Sequence, residues 1–490
     1  MKSIKKLFLG LLTLVLTFCV VNTVFADTKG SIVVNGTKEK RTYEIYKIFD
    51  LTYSGSNVAY TIDNDWKDFF DGDGSKYIVD TNSGSLNSIT IGSQTKYINI
   101  TNDNIAEFTS DALVYASKLV GNDGSKEATG ETLIFDNLDL GYYLVYPKGA
   151  TDIIEGNGSI CSITSTLPQA TVNIKATYPT ITKTVDDSNA EVGQMVEFKI
   201  TGLVPDTTGF TTYTYKIDDT MTAGLLLASS NSEFKALFGN TEIDVEPTYS
   251  NNGFSLEFNM VDYQDYVGEV ITITYKAKVT EEAVNSDDTN NSVTLTYSND
   301  PKEDTTYTTT PIEVFVYSSG INVIKVDSND SEVKLAGASF VIQNSDGKYY
   351  QAIGSAGLVL TETNTTAGLI DVNWVDTIEE ATLLVTGADG TVLFTGVENG
   401  TYSLVEVEAP EGYNKLTGPV TIKVGYDSAE GTNLGEVAVI HEEIVENNSG
   451  RALPETGGIG TKIFIGLGSI LMLGSAILLI VNKRMAKEYK

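Results

Sequence analysis

The chain has 490 residues, which is more than one hydrophobic core usually organises, since single cores stop growing at about 250 to 300 residues. Its 65 acidic residues outnumber its 33 basic residues and give a formal charge of -32. This charge repels the phosphate backbone of nucleic acids, so we expect no nucleic-acid partner. Length and charge together predict an acidic protein of several domains, with about three as the natural number.

The amino terminus has the three parts of a secretory signal peptide. Lysines at positions 2, 5 and 6 precede an apolar run, and the run closes on the sequence Val24-Phe25-Ala26. A basic start, an apolar middle and a small-residue end are the features that signal peptidase substrates share. We therefore predict a signal peptide over residues 1–26, cut after Ala26.

The cysteine content limits how the exported protein can be stabilised. The chain has two cysteines, Cys19 and Cys161, and Cys19 lies in the predicted signal peptide. The exported chain then keeps one cysteine and cannot form an intrachain disulfide. A long extracellular protein without disulfides must resist unfolding by packing or by a crosslink that contains no sulfur. Lysines that could pair with asparagines are therefore of interest.

The carboxyl terminus combines an apolar stretch with a basic tail. Residues 463–481 are uninterrupted by charge and are long enough to cross a bilayer as a helix. The tail over residues 482–490 holds four basic residues, and such tails stay on the cytoplasmic side. We predict a transmembrane helix over 463–481 and a cytoplasmic basic tail over 482–490.

A short motif stands just before the predicted helix. Residues 453–457 read Leu-Pro-Glu-Thr-Gly, and the apolar stretch and the basic tail follow in that order. This arrangement resembles the LPXTG sorting signal of Gram-positive sortase substrates. The resemblance implies that a sortase cysteine cuts between Thr456 and Gly457, holds Thr456 as a thioester and transfers it to an amine. The alternative is a membrane-anchored ectodomain in which LPETG occurs by chance.

Between its two ends, the chain is dominated by short segments that alternate between apolar and polar residues. Examples are residues 195–200, 271–276 and 293–297. This period of two is typical of half-buried strands, and a helical period occurs only around Ile105 to Lys118. We predict an all-β fold of three tandem immunoglobulin-like β-sandwich domains.

Two proline-containing joints indicate the domain boundaries. They lie at residues 176–180 and 305–319. The predicted domains are an N-terminal domain over 27–176, a middle domain over 177–318 and a C-terminal domain over 319–450. Since the joints are short, they favour a stiff rod over domains on flexible linkers.

The predicted third domain contains a recognisable motif. Residues 402–413 read YSLVEVEAPEGY. This stretch resembles the E-box, YxLxExxAPxGY, of the collagen-adhesin B-type domains of surface proteins and pilins. The resemblance implies an isopeptide bond between Lys325, on the opening strand, and Asn447, near the end of the domain, promoted by Glu406. Asn448 is the main alternative to Asn447.

Elementary chemistry explains why this bond needs these residue types. Burial disfavours the charged form of a lysine, and the neutral amine is a nucleophile. A buried carboxylic acid that keeps its proton can donate a hydrogen bond to an asparagine carboxamide and polarise it for attack. Ammonia then leaves, once per domain. This is self-processing without turnover, so we predict no enzymatic activity beyond it.

The predicted middle domain offers a second set of the same residue types. It begins PTITK at 179–183, contains YKIDDTM at 215–221 and ends NSVTLTYSNDP at 291–301. These motifs resemble the middle domain of three-domain pilins. The resemblance implies a bond between Lys183 and Asn291, promoted by Asp219. Asp218 and Asn290 remain alternatives at this stage.

The predicted first domain departs from the E-box pattern. Residues 139–147 read DLGYYLVYP, which is similar to the Gly-x-Tyr turn but has no glutamate at the position of the acid. We predict no isopeptide bond of the standard kind in this domain. Lys47, in an apolar strand, is the candidate lysine if such a bond exists.

Polymerisation requires an exposed amine that accepts the thioester of the next subunit. Backbone pilins usually present it as the lysine of a VYPK motif at the end of the first domain. Residues 172–179 read VNIKATYP, so Lys175 has the expected place, although Tyr-Pro follows it instead of preceding it. We predict Lys175 as the acceptor, with Lys148 as a weaker alternative.

Signals for other chemistry are weak. Residues 71–75 read DGDGS, as in a calcium loop, but Lys76 stands where the loop needs glycine. His441 is the only histidine, which disfavours histidine-dependent nucleophilic triads and metal sites. We predict no metal and no cofactor.

Together these resemblances point to a major (backbone) pilin subunit, anchored to peptidoglycan and supporting adhesion from the cell surface. The implied partners are sortase, neighbouring copies of the chain and peptidoglycan, with minor pilins and host surface ligands as further candidates. The alternative is a binding module, either a monomeric wall-anchored adhesin or a minor pilin. A wall-anchored hydrolase is the third class, and no motif supports it.

Overall fold

The computed structural model describes most of the chain between its two ends. The described residues are 29–54, 57–82, 86–151, 159–164, 166–228, 234–250, 252–354, 357, 359–360, 368–426, 436–449 and 459–488. The predicted signal peptide and the LPETG motif, including Thr456 and Gly457, lie outside these residues. The sheets fall into three groups along the chain, which we call the first unit (29–176), the middle unit (177–318) and the third unit (319–449).

The described residues of the first unit form eleven strands and two α-helices. The strands are β1 (Gly30–Asn35), β2 (Thr42–Ser54), β3 (Asn57–Ile62), β4 (Ile78–Val79), β5 (Asn87–Ile91), β6 (Gln94–Ile98), β7 (Gly124–Glu127), β8 (Thr132–Leu138), β9 (Gly141–Pro147), β10 (Ser159–Ile163) and β11 (Gln169–Asn173). The helices are α1 (Lys67–Asp71) and α2 (Ile105–Ala116), with 3-10 turns at Asn64–Trp66 and Asp73–Tyr77.

Two sheets build the first unit. The smaller has the order β11-β1-β8, and the larger has the order β10-β9-β2-β3-β5-β6-β4, with β7 paired to β2. Helix α2 covers the larger sheet with Phe108, Ala112, Leu113 and Ala116, which are buried and spaced for one helical face. The helix predicted around Ile105 to Lys118 is therefore confirmed.

Within the part of the middle unit that the structure describes, twelve strands form two sheets. They are β12 (Ile181–Val185), β13 (Met195–Leu203), β14 (Thr214–Met221), β15 (Leu225–Leu227), β16 (Lys235–Phe238), β17 (Thr241–Ile243), β18 (Thr248–Ser250), β19 (Gly253–Asn259), β20 (Val270–Val279), β21 (Asn290–Ser298), β22 (Thr306–Thr308) and β23 (Ile312–Phe315). Further 3-10 turns lie at Met260–Tyr266 and Glu281–Ala283.

The two sheets of the middle unit face each other across one apolar core. One has the order β12-β13-β20-β16-β17, with β15 beside β20, and the other has the order β18-β19-β14-β21-β22, with β23 beside β21. Every second residue of β20, from Ile271 to Val279, is buried in this core. This alternation is the one that a period of two predicts for a sandwich strand.

Ten strands lie in the described ranges of the third unit, and a helix follows them. The strands are β24 (Ser319–Asp327), β25 (Asp330–Lys334), β26 (Ser339–Gln343), β27 (Tyr349–Gly354), β28 (Leu369–Val375), β29 (Leu384–Val385), β30 (Thr391–Val397), β31 (Thr401–Glu408), β32 (Val420–Lys423) and β33 (Ile440–Asn447). The helix is α3 (Ile459–Glu488).

The first and last strands of the third unit are neighbours. One sheet holds β25, β24 and β30, with β33 also paired to β24, and the other has the order β28-β27-β26-β31-β32, with β29 beside β26. Strands β24 and β33 run parallel, from Gly320 opposite Ile440 to Asp327 opposite Asn447. The described residues are thus mostly strand in packed sheets, and the predicted all-β sandwich class is confirmed.

The predicted transmembrane segment falls in helix α3. Side chains 463, 464, 466 and 481 of the predicted span lie outside the described residues. Among the residues that the structure describes, no helix reaches the length and apolar character needed to cross a bilayer.

The joint between the middle and third units is made by the loop between β12 and β13. Val192 in this loop is fully buried, and it packs in the core of the third unit. Its N–H donates to the Gly396 carbonyl at 3.0 Å, and its carbonyl accepts from the Val372 N–H at 2.9 Å. Gly396 has a φ of +75°, and a Cβ there would lie 2.8 Å from Val192 Cγ2, so glycine is needed for this contact.

Polar contacts surround this buried valine. The indole Nε1 of Trp374 donates to Glu191 Oε1 at 2.5 Å. Glu281 Oε2 accepts from the backbone N–H groups of Gly368 and Leu369, at 2.6 and 3.0 Å. Because a side chain of the middle unit completes the core of the third unit, we expect the two units to move as one body.

The substitution Val192→Ala tests this coupling. Burying a valine side chain contributes about 2 kcal/mol, so we expect the free energy of unfolding of the third unit to fall by roughly that amount. The fluorescence of Trp374, which touches the same loop, can follow urea unfolding. Val333→Ala is the matched control, since Val333 is 44% exposed. Equal effects of the two substitutions would contradict the assigned role.

Candidate functional site: buried lysine, carboxyl and asparagine clusters

In the third unit, the three residues singled out by the E-box resemblance lie together in the interior. Lys325 Nζ donates to Asn447 Oδ1 at 2.7 Å and to the Val445 carbonyl at 3.0 Å. Asn447 Nδ2 donates in turn to Glu406 Oε1 at 2.8 Å. All three side chains are buried, with exposures of 0 to 2%. The structure therefore brings together Lys325, Glu406 and Asn447.

Pairing of strands positions this cluster. Parallel pairing of β24 with β33 sets Lys325 opposite Val445, so Asn447 lies two residues further along the neighbouring strand. Glu406 comes from β31 in the facing sheet, where it is opposite Phe340 of β26. The carboxyl group therefore approaches the lysine and the asparagine from across the core.

The environment of Lys325 favours the neutral amine. Burial lowers its pKa to about 8, and attraction to Glu406, whose Oε1 lies 3.8 Å away, opposes part of this change. The other oxygen of Glu406 accepts the Leu416 N–H at 2.7 Å. This backbone bond fixes the orientation of the carboxyl group, so that one oxygen faces the two nitrogens.

The alternative asparagine occupies a different environment. Asn448 is exposed, and its backbone carbonyl accepts hydrogen bonds from Asn414. Adjacent strand residues point to opposite faces, so only one of the two asparagines can face the core. That residue is Asn447.

A second cluster lies in the middle unit and joins its two sheets. Lys183 Nζ, on β12, donates to Asp219 Oδ2, on β14, and also to the Tyr275 hydroxyl at 2.6 Å. The Tyr275 hydroxyl donates to the same Asp219 oxygen at 2.6 Å, and Asn291 Nδ2, on β21, donates to that hydroxyl at 3.1 Å. Lys183, Asp219 and Asn291 thus surround the hydroxyl of Tyr275.

Burial disfavours the charged forms of both Lys183 and Asp219. Burial lowers the pKa of Lys183 to about 8, against the attraction of Asp219. Burial also raises the pKa of Asp219, against the opposing effect of Lys183. Both directions favour the neutral forms, a free amine beside a protonated acid.

Burial and pairing also separate the alternatives in the middle unit. Asp218 lies at the surface and pairs with Lys216 at 2.8 Å, whereas Asp219 is 1% exposed. Asn290 Nδ2 donates to the Asp288 carbonyl in an exposed position, whereas Asn291 is fully buried. The core-facing residues are Asp219 and Asn291.

Tyr275 is a member of this cluster that sequence reasoning missed. It lies on β20, and its pKa is raised far above the ordinary value, first by burial and then by the charge of Asp219. The available signal was its position in the alternating segment Ile-Thr-Ile-Thr-Tyr-Lys, where it falls on the core-facing register. A tyrosine there needs a buried hydrogen-bond partner.

The first unit has a different arrangement around its candidate lysine. Lys47 Nζ pairs with Asp50 Oδ1 at 2.7 Å, and the hydrogen bond and charge of Asp50 outweigh burial and raise its pKa. The lysine therefore stays charged. The stretch that is similar to the E-box forms β9, which ends at Pro147.

Two lysines lie near the joint between the first and middle units. Lys175, the predicted acceptor, is exposed just after β11. Lys148 is partly buried just after β9, and its Nζ lies 2.5 Å from Asp300 Oδ2 and 3.9 Å from Glu44 Oε1. The sequence also reads Val145-Tyr146-Pro147-Lys148, which is the VYPK motif in its usual order. In that motif Tyr-Pro precedes the lysine, whereas in residues 172–179 Tyr-Pro follows Lys175.

The acidic segment 71–75 and Cys161 are the remaining candidates from the sequence, and both form part of the fold. Residues 71–75 lie at the end of helix α1 and in the following 3-10 turn. Within the described residues, no group of three or more His, Cys, Asp and Glu side chains is arranged to hold a metal ion. Burial raises the pKa of the Cys161 thiol to about 12, which keeps it protonated and unreactive.

Two family models match the carboxyl-terminal part of the chain. A model described as the SpaA prealbumin-like fold domain matches residues 319–435, and the LPXTG cell wall anchor motif matches residues 445–488. Lys325 and Glu406 lie in the first match and Asn447 lies in the second.

Similar proteins come from Gram-positive surfaces. The trypsin-resistant surface T6 protein of Streptococcus pyogenes serotype M6 is 24% identical over 387 residues, which cover 64% of this chain and 70% of that protein. Fimbrial subunit type 1 of Actinomyces viscosus is 37% identical over 83 residues, covering 17% and 15% of the two chains. The solved structure of the T6 backbone pilin of serotype M6 has a TM-score of 0.47 and 17% identity, over 82% of this chain and 81% of that one.

The chain thus carries a SpaA-type prealbumin-like domain and an LPXTG cell wall anchor motif, and it is similar to pilins and fimbrial subunits. The prediction of a pilin anchored to the cell wall at the surface is thereby confirmed. Its residue-level assignments, namely the two lysine–asparagine bonds, the promoting acids, the sortase cleavage site and the acceptor lysine, stay predictions.

The substitution Glu406→Gln tests the cluster of the third unit. We expect the pilin to keep the ammonia that bond formation would release, because glutamine cannot exchange protons with the two nitrogens. Intact mass and a peptide map around Lys325 and Asn447 measure this. Glu408→Gln is the matched control, since Glu408 lies on the same strand and is exposed. Full ammonia loss in Glu406→Gln would exclude a role for this carboxyl group.

The substitution Asp219→Asn tests the cluster of the middle unit in the same way. We expect no linked peptide between Lys183 and Asn291, while Asp218→Asn leaves the link intact because Asp218 lies at the surface. The unlinked variant should also melt at a lower temperature, since the crosslink stabilises by several kcal/mol in the chain-entropy model. A linked peptide in both variants would contradict the assignment of Asp219.

Proposed function

We propose that this pilin is the backbone subunit of a covalently polymerised pilus, held together by isopeptide bonds within and between subunits. The observation that carries the proposal is the contact between Lys325 and Asn447, with Nζ 2.7 Å from Oδ1, on the first and last strands of the third unit. A bond at this point would pass tension along the fibre without loading the rest of the unit.

The proposed reaction in the third unit needs no external reagent. Lys325 Nζ attacks Cγ of Asn447, the Cγ–Nδ2 bond breaks, and an amide and ammonia result. One proton must move from Nζ to the departing nitrogen. Glu406 Oε1 lies 3.8 Å from the first nitrogen and 2.8 Å from the second, so it is placed to carry that proton between them.

This geometry differs in one detail from the arrangement expected from sequence. The expectation was an acid that donates to the asparagine oxygen, whereas here the amide nitrogen of Asn447 faces Glu406 and its oxygen faces Lys325. The lysine thus contacts the carbonyl that it would attack. The carboxyl group contacts the leaving nitrogen, which suits proton delivery to ammonia.

The proposed reaction in the middle unit uses the same bond with an added hydroxyl. Lys183 Nζ would attack Cγ of Asn291, and ammonia would leave. Tyr275 hydrogen-bonds to both nitrogens and to Asp219, so its hydroxyl can relay the proton. The bond would link β12 of one sheet to β21 of the other and tie the sandwich across its core.

Both bonds would close long loops. Lys325 and Asn447 are 122 positions apart, and a crosslink over a loop of about 100 residues stabilises by about 5 kcal/mol in the chain-entropy model. The mechanical effect of the bond would matter more than its effect on the free energy of unfolding, because a covalent bond would carry the force that backbone hydrogen bonds otherwise carry. In the third unit the path runs from β24 through the bond directly to β33 and the sorting signal.

The link between subunits is proposed to form through sortase. The enzyme's cysteine would break the Thr456–Gly457 bond and hold Thr456 as a thioester, and a lysine amine of the next subunit would displace the thiol. Residues 450–456 separate the third unit from the new bond, and seven residues can reach at most about 25 Å. The last subunit would be transferred to peptidoglycan in the same way.

We assign the acceptor amine to Lys148 in preference to Lys175. Lys148 completes the VYPK motif at the end of β9, and its side chain is held at the joint by Asp300. Lys175 is exposed, but its local sequence has Tyr-Pro on the wrong side. A fixed amine needs less ordering when it attacks, which favours reaction at one defined lysine.

The substitutions Lys148→Arg and Lys175→Arg separate these assignments. We expect wall extracts of cells carrying Lys148→Arg to lose the ladder of covalent multimers, because arginine cannot act as the nucleophile at neutral pH. Lys175→Arg should keep the ladder, and tandem mass spectrometry of wild-type multimers should find Thr456 joined to Lys148. The reverse pattern would assign the acceptor to Lys175. Thr456 joined only to peptidoglycan, without multimers, would favour a monomeric wall-anchored adhesin.

A further inference from the structure

Four charged side chains meet where the first unit contacts the middle unit. Lys148 and Glu44 come from the first unit, and Asp300 and Lys302 come from the segment after β21. Both carboxyl groups are 4% exposed. Buried carboxylates are costly unless they are paired, so two lysines beside two acids form a balanced cluster.

Asp300 is held more firmly than a surface carboxylate. Its Oδ1 accepts the backbone N–H of Lys302 at 2.9 Å, which closes an Asx turn in its own loop. Its Oδ2 lies 2.5 Å from Lys148 Nζ. One oxygen is therefore used to fix the side chain, and the other is directed at the lysine.

The second acid of the cluster is directed mainly at the other lysine. Glu44 Oε2 accepts a hydrogen bond from the Tyr46 hydroxyl and lies 3.3 Å from Lys302 Nζ, which also donates to that hydroxyl at 2.6 Å. Glu44 Oε1 is 3.9 Å from Lys148 Nζ. Asp300 is thus the close partner of Lys148.

The backbone brings the two units into close contact at this point. The Lys148 N–H donates to the Thr42 carbonyl at 3.0 Å, which fixes the start of its side chain on the first unit. The next residue, Gly149, has a φ of +79°, and a Cβ there would lie 3.0 Å from Asn299 Cβ. Residue 149 must therefore be glycine for the loop that carries Asp300 to come so near.

We infer that Asp300 of the middle unit positions the Lys148 amine and takes its proton, so that the acceptor site exists only when the first and middle units are docked. This inference rests on the proposed role of Lys148 as acceptor. It makes Asp300 a positioning residue and a base for the joining reaction, supplied by a different unit from the nucleophile.

The proton balance of the joining step shows why a base is needed. Burial by itself would lower the pKa of Lys148, but the hydrogen bond and charge of Asp300, with help from Glu44 and Glu303, raise it above its ordinary value. The lysine waits as an ammonium ion, which cannot attack. As Nζ bonds to the Thr456 carbonyl carbon and the thioester C–S bond breaks, one ammonium proton passes to Asp300 and a second to the sortase thiolate.

The substitution Asp300→Asn tests the inference in the full pilin with its purified sortase. We expect the rate of Thr456–Lys148 joining to fall by about tenfold or more, as for the loss of a general base. The loss should be largest near about pH 6 and smaller near about pH 9, where more of the amine is neutral without help. The titratable groups that act on Lys148 are Asp300, Glu44 and Glu303, with Lys302 beside Glu44 and Tyr146 beside the two acids of the cluster, and only Asp300 is changed.

Matched variants separate this role from a purely structural one. Asp304→Asn removes the same charge from an exposed position in the same segment and should join at the wild-type rate. Asp300→Glu keeps a carboxylate and should restore part of the rate. An unchanged pH profile in Asp300→Asn, or an Asp300→Glu variant no faster than Asp300→Asn, would overturn the inference.

The failure of this inference can be told from the failure of the proposed acceptor. If wild-type multimers carry the Thr456 link on Lys175, the assignment of Lys148 falls and the inference falls with it. If the link is on Lys148 and Asp300→Asn joins at the wild-type rate, only the role of Asp300 is overturned. In each variant, the proposed Lys183–Asn291 bond would release ammonia from the middle unit. The corresponding decrease in mass serves as a check that the middle unit has folded.

Discussion

Burying a lysine amine between two apolar sheets removes the water that stabilises its charge, and the two clusters of this pilin depend on that constraint. The interior lowers the pKa of both Lys183 and Lys325 to about 8, so a nucleophile is available near neutral pH without any cofactor. The same burial raises the pKa of Asp219 and makes a proton donor available beside it. In the proposed reaction, the sandwich core would therefore be the source of both stability and reactivity.

The two clusters bring a lysine and an asparagine together through different strand arrangements. In the third unit, Lys325 and Asn447 lie on parallel neighbours, so the backbone ladder alone sets their approach. In the middle unit, Lys183 lies in one sheet and Asn291 in the other, and the Tyr275 hydroxyl lies between them. The Tyr275 side chain spans the gap between the lysine and the asparagine of the middle unit. In the third unit, strand pairing brings the two residues into direct contact. The bond proposed for each cluster would link an early strand to a late one, which suits a subunit under tension.

The joints between units rely on different physical interactions. At the joint between the middle and third units, Val192 completes the core of the third unit and Val284 packs against that core, so the hydrophobic effect couples the two units. At the joint between the first and middle units, two buried acids meet two partly buried lysines, and Arg41 lies over the rings of Tyr178 and Tyr307 at 4.5 and 3.5 Å. A charged joint costs desolvation, but it can hold a reactive amine in a defined place, which an apolar joint cannot do.

The amino-acid sequence by itself determined those features that depend on neighbouring residues. Alternation identified strands such as β13, β20 and β21, a helical period identified α2, and the LPETG motif with its flanks identified the anchor. These patterns are local, because side chains alternate along a strand and repeat along a helix whatever the rest of the fold does. The E-box motif, which covers one strand and its turn, indicated Glu406 directly, whereas Lys325 and Asn447 were implied only by the resemblance to collagen-adhesin B-type domains.

Tertiary structure alone decided the rest. The choice between Asp218 and Asp219, or between Asn290 and Asn291, depends on which face of a strand meets the core, and a shift of one residue reverses it. Tyr275 joins a lysine 92 positions away, and Val192 fills the core of another unit, so neither contact has a local pattern. Lys148 combines a local and a non-local feature. Its VYPK motif is visible in the sequence, but its contact with Asp300 is not, because only docking of the two units brings Nζ within 2.5 Å of Oδ2.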